Sequence, residues 1–150
     1  MTDLAVLDRC TQVANDQRFN EFESVLAEGI PLESKVYHRF TPGLYIRECH
    51  LVAGGLYTTK IHKTEHPLMI LSGVLGIWTD DGGIVYYKSP SVIITPAGTR
   101  RALYCFEDCV GVTCHVNPSN ETDVEKIERD IIFTCENPLI AQKLQMELPI

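Results

Sequence analysis

Between Gly54 and Gly73 the chain reads GGLYTTKIHKTEHPLMILSG. Lys60 and His62 stand two apart in a run of strand-forming residues, so an extended backbone projects both from one face. His66 opens the next apolar run. There Leu68 and Ile70 continue one face and Met69 and Leu71 the other, until the chain must turn at Ser72-Gly73. Two imidazoles and an amine are therefore expected to converge inside a barrel or sandwich, where inward residues of neighbouring strands meet.

Working outward, turn signals recur every several residues from Ile30 onward: Pro31, Pro42-Gly43, Gly54-Gly55, Asp80-Asp81-Gly82-Gly83, Ser89-Pro90 and Pro96-Ala97-Gly98. Apolar or alternating runs lie between them, which is the punctuation of an all-β protein. The expected strands are Lys35–Phe40, Leu44–Val52, Leu56–His62, Pro67–Leu71, Val74–Thr79, Ile84–Lys88, Ser91–Thr95, Arg101–Phe106 and Val110–Val116. Asp81-Gly82 is the strongest hairpin signal. The ends differ. Residues 2–14 read as a helix capped by Thr2 or Asp3, and a second helix starts at Asn20, where Glu23 completes a capping box, and ends at Gly29. After Asn117-Pro118 the run Thr122-Asp123-Val124-Glu125 caps a helix through Ile132, and a short helix fits Leu139–Met146. The organisation read from these signals is a helical extension over 1–29, a β-domain over 30–118 and a helix with tail over 119–150.

With 150 residues, 45% of them hydrophobic and 22% charged, the chain suits one domain with a real core. A net charge of −7 argues against general nucleic-acid or anionic-membrane binding. No apolar run is long enough to span a bilayer, and MTDLAVLDRCTQ lacks the features of a secretion signal, so a cytoplasmic location is expected. The six cysteines show no C-x-x-C spacing and are read as reduced thiols.

The spacing in the opening stretch resembles the first motif of the cupin superfamily, G-x5-H-x-H-x3-E-x6-G. Lys60 falls at the first His, His62 at the second, His66 at the Glu and Gly73 at the closing Gly. The second cupin motif, G-x5-P-x-G-x2-H-x3-N, is similar to Pro96-Ala97-Gly98-Thr99-Arg100-Arg101. Pro96 and Gly98 match, while Pro90 stands at the leading Gly, Arg101 at the His and Cys105 at the Asn. HKTEH, PAGTRR and ETDVEKIE also give the chain the look of small stand-alone cupin-domain proteins encoded in phage genomes. The resemblance implies a cupin-type double-stranded β-helix, a jelly-roll barrel with helical additions at both ends. It also implies a homodimer paired through barrel edges.

The departures from the motif carry the chemical expectation. His62 and His66 are read either as ligands of a divalent Fe, Mn, Ni, Cu or Zn ion or as two hydrogen-bonded polar residues at a barrel mouth. Two ligands are one short; His115 is the expected third and Cys105 the alternative. Arg does not ligate metals but holds carboxylates or phosphates bidentately. Arg101, with Lys60 and Tyr57, is therefore the candidate anion site, provided Arg101 rather than Arg100 faces inward. Lys60 and His62 are the candidate general acid–base residues if the interior buries them. Three functions stay open: a metal-assisted enzyme acting on a small anion, a binding module for an anionic metabolite or nucleotide, and an assembly protein whose barrel is filled by side chains.

Overall fold

The computed structural model describes residues 3–78 and 83–147. Two helices lead: α1 (Leu4–Ala14) and α2 (Gln17–Leu26). Nine strands follow, β1 (Lys35–Thr41), β2 (Gly43–Leu51), β3 (Leu56–Thr58), β4 (His66–Ser72), β5 (Val74–Trp78), β6 (Ile84–Lys88), β7 (Ser91–Thr95), β8 (Ala102–Cys105) and β9 (Cys109–Asn117). Helices α3 (Val124–Ile131) and α4 (Pro138–Glu147) close the order. The strands form two antiparallel sheets, β1-β2-β9-β4-β7 and β3-β8-β5-β6. The Asp81-Gly82 turn lies outside the described residues, although the arms it would join, β5 and β6, pair from Trp78↔Ile84 to Val74↔Lys88.

Alternation puts one face of each sheet inward, and the inward residues change character along the strands. Ile70 and Ile93 of the first sheet meet Leu75, Ile77, Leu103 and Cys105 of the second in an apolar cluster that Cys109 completes. Two residues from Ile70 along the same face is Leu68, and two further is His66. The same step on β9 runs from Cys109 through Gly111 and Thr113 to His115. One end of the inter-sheet space is thus a core and the other a polar pocket.

Both helical ends depart from expectation in their caps. Asp16, not Asn20, caps α2, its carboxylate accepting from the Arg18 and Phe19 amides. Asn20 lies within the helix, is buried, and accepts from the Arg100 guanidinium at 2.9 Å. Likewise Asp123, not Thr122, caps α3, while the Glu121 carboxylate holds the Thr122 and Asp123 amides. Ile127 and Ile131 of α3 pack on Tyr45 at the polar end of the sandwich. Strand β3 stops at Thr58, four residues short of the expected His62, because the chain leaves the ladder there. The Ile61 carbonyl accepts from the Phe133 amide at 2.8 Å, the Lys63 amide donates to Ile131 at 2.7 Å, and His62 forms a single β-bridge with Ile132.

Candidate metal centre and anion pocket

Strand register assembles the site. Tyr45 lies across from His115 in the β2–β9 ladder, and His66 across from Thr95 in the β4–β7 ladder. Leu68 pairs with Thr113, so the next inward position along β4 and β9 brings His66 beside His115. One row of the five-stranded sheet therefore reads Tyr45, His115, His66, Thr95. His62 is added from outside the ladder by the segment clasped to Ile132. The three ring centroids are 4.4 Å (62–66), 5.0 Å (62–115) and 4.6 Å (66–115) apart. One ligand nitrogen from each lies within 4.8 Å of the others. Cys105, the alternative third ligand, is instead buried in the apolar cluster, where desolvation pushes its thiol up to about 12.

Each imidazole has a partner that orients it. The His66 Nδ1 bonds to the Thr64 carbonyl at 3.1 Å and the His115 Nε2 to the Thr113 hydroxyl at 2.9 Å, while the Lys60 backbone holds the His62 ring. The carbonyl fixes His66 as the Nδ1–H tautomer and leaves Nε2 with its lone pair. His115 Nδ1 is buried and, among the described residues, has no hydrogen-bond partner. Burial, reinforced by the neighbouring imidazoles, lowers His62 to about 4 and His115 to about 3; burial also lowers His66. At neutral pH all three are uncharged.

These features fit a transition metal. Neutral imidazoles need lose no proton to ligate, and a hydrogen bond to the other ring nitrogen is the usual orienting shell of a metal-bound His. Metal–nitrogen bonds of about 2.1 Å place ligand nitrogens roughly 3–3.5 Å apart, so side-chain adjustments on the order of an ångström close the triad.

A cavity of about 260 Å³ opens against the triad, so this end of the sandwich is not filled by side chains. A larger cleft of about 670 Å³ shares its rim at Thr58, Thr59 and Lys60 but contains none of the three histidines. Arg100 and Glu23, which line it, are already paired with each other, so the smaller cavity holds the three histidines.

Of the two arginines, Arg101 enters this cavity: it is 7% exposed and donates to the Thr95 hydroxyl at 2.7 Å. Arg100 is just as buried but points to the helices, donating to the Val13 carbonyl, Asn20 and Glu23. Lys60 corrects the expectation of a buried amine. Its side chain is 60% exposed at the rim and its ammonium meets Glu128 at 3.3 Å. Tyr57 lines the cavity with its ring, but its hydroxyl already accepts from the Val52 amide at 3.0 Å. Two further contributors are not among the expected site residues. Arg47 lines the cavity from the inward face of β2, and Tyr45, 1% exposed, stacks on His115 while its hydroxyl bonds to His38 at 2.6 Å.

KdgF from Halomonas sp. superposes with a TM-score of 0.51 at 11% identity, over 65% of this chain and 90% of that one. A cupin superfamily protein from Desulfitobacterium hafniense aligns at TM-score 0.49, 14% identity, 62% of this chain and 85% of its own. An RmlC-like cupin from Shewanella frigidimarina gives 0.49 and 14%, over 65% and 86%. The fold is that of the cupins. At these identities the likeness speaks for the fold alone. No family profile and no curated protein matches the chain in sequence. Here the inner sheet face supplies His66 and His115, and the third imidazole comes from a segment held by the C-terminal extension.

Proposed function

We propose that the protein binds a small anionic molecule in the inter-sheet cavity at a divalent metal held by His62, His66 and His115. One observation carries the reading: three neutral imidazoles converge on a cavity that also receives the buried guanidinium of Arg101. Three nitrogen donors without a carboxylate suit Zn, Cu, Ni or Fe better than Mg or Ca. Such an ion, when bound, supplies Lewis-acid polarisation of a ligand oxygen. Arg101 supplies charge and a directed N–H, Tyr45 fixes the ring of His115, and the aliphatic wall from Leu68 to Leu103 limits water. Lys60 and Glu128, paired at the rim, stand where a ligand would enter rather than where it would react. Binding, with or without turnover, is thus the function these residues support.

The reading is tested by elemental analysis of untagged protein beside the His62→Ala/His66→Ala variant, with thermal unfolding followed as divalent metals are added. About one transition-metal ion per chain, absent from the variant, is the expected result, with metal-dependent stabilisation of the wild type only. A wild type that purifies without metal and is stabilised by none of Zn, Ni, Cu, Fe or Mn defeats the metal.

A further inference from the structure

Arg47 sits on the inward face of β2 across from Thr113, the residue whose hydroxyl fixes His115. Arg101 sits on the opposite flank, bonded to Thr95 across from His66. The two guanidiniums therefore bracket the histidines. Both keep a buried Nε that has no hydrogen-bond partner among the described residues, and in neither case does water reach that atom. An unmet buried donor is destabilising, and more so when it is charged. Among the described residues no side chain accepts from either Nε. The only carboxylate lining the cavity among the described residues is Glu128, which Lys60 engages at the rim. The acidic surface of the protein therefore encloses a cationic interior, and a metal would add to that positive charge.

Geometry separates the two charges. The strands β2 and β7, beside which the guanidiniums stand, are three inter-strand steps apart, about 14 Å at the backbone. Arg47 enters the cavity from β2, whereas Arg101 enters from the turn before β8 with its guanidinium on Thr95 of β7, so the two forks offer two separate anion positions. A cavity of about 260 Å³ is also below the ~300–1,000 Å³ typical of drug-sized ligands, which argues against a nucleotide.

We propose that the ligand is a small dianion with an acidic group at each end of a short spacer, one end on Arg47 and the other on Arg101, so that Arg47 sets specificity. This rests on the anion-pocket reading above and deepens it. It does not require the metal. Where the metal is bound, the dianion and the cation raise each other's affinity, because each offsets charge the other leaves exposed, and that coupling is reciprocal.

The test uses malonate, succinate and glutarate as probes, with acetate and inorganic sulfate as the single-headed and compact controls, at constant ionic strength. Affinities are measured by calorimetry for chelator-treated wild type, Arg47→Met and Arg101→Met, and again after zinc loading. At least one dicarboxylate is expected to bind tenfold or more tighter than acetate or sulfate. Either Arg variant is expected to bring that probe down to the acetate level. Zinc is expected to tighten the dicarboxylate at least threefold. Acetate or sulfate binding as tightly as every dicarboxylate overturns the proposal, as does a dicarboxylate affinity within twofold of wild type in folded Arg47→Met. If Arg47→Met does not fold, the probe series on wild type and on Arg47→Lys decides, the lysine being expected to lose the two-pronged grip. Dicarboxylate binding without any zinc uptake would keep the dianion and defeat the metal; zinc uptake without dicarboxylate binding would do the reverse.

Discussion

His115 shows what burial does to one titratable ring. It is 2% exposed, stacked between Tyr45 and His62, and held neutral with a folded-state value near 3. An unfolded chain returns it to about 6.5, so below that pH the unfolded state takes up a proton that the folded state refuses. His62, near 4, acts in the same direction. Stability is then fully present above pH 6.5 and is lost as pH falls toward 4 and 3. The slope approaches about 1.4 kcal/mol per pH unit for each such ring. Chemical denaturation of metal-free protein from pH 7.5 to 4.5 is expected to show this loss, and His115→Gln to flatten it. A wild-type stability that is level across that range would contradict the neutral triad. His66 and His115 come together because alternation on β4 and β9 points both inward, whereas His62 is placed by its bridge to Ile132, which no strand pattern announces. Arg47 was not legible in the sequence: its strand mixes polar and apolar residues on both faces, Tyr45, Arg47 and Cys49 against Ile46, Glu48 and His50, so alternation alone does not say which set is buried. Lys60 misled because β3 ends before it, and the period-two relation to His62 ends with the strand.

The helices depend on Arg100. Its guanidinium is 4% exposed and satisfies the Val13 carbonyl, Asn20 and Glu23, with the Phe19 ring beneath it at 5.2 Å. Removing the guanidinium leaves the Val13 carbonyl and Asn20 without their partner and Glu23, a quarter exposed, with Thr58 and Asn137 alone, which costs about 2–4 kcal/mol. Arg100→Met is therefore expected to lower the melting temperature sharply, whereas Asp16→Ala, the loss of a cap, costs about 1 kcal/mol. Thermal unfolding of the two variants checks the order; equal, small effects would show that α1 and α2 are not fastened through Arg100. The helices themselves were readable from their periodicity and caps. Asn20 with Glu23 looked like a capping box because the same two residue types serve a cap and a buried cluster equally well. Only the approach of Arg100, eighty positions away in sequence, separates the two uses.

On the scale of the molecule, the outer face of the five-stranded sheet carries exposed apolar side chains. Val92 is 70% exposed, Val116 60%, Leu71 57% and Ile94 56%, and these residues lie on neighbouring strands β7, β9 and β4. Contiguous exposed apolar surface of this kind marks an interface. We propose a homodimer through this face. Sedimentation at micromolar protein is expected to give twice the chain mass, and Val92→Lys/Ile94→Lys to give the single mass with the cavity unchanged. A wild type that stays at the single mass overturns the dimer. The jelly roll was legible because two spaced motifs and regular turn signals agree. The absence of a fill at one end was not, since cavity or core depends on how inward side chains from distant strands meet.

His62 is clasped by Ile132, and Lys63 and Phe133 tighten the same clasp. Both sheets are complete by Asn117. His66 and His115 are therefore placed by strand register, whereas the third imidazole is seated by residues that lie outside both sheets. The completeness of the centre is thereby tied to the docking of the segment that follows α3.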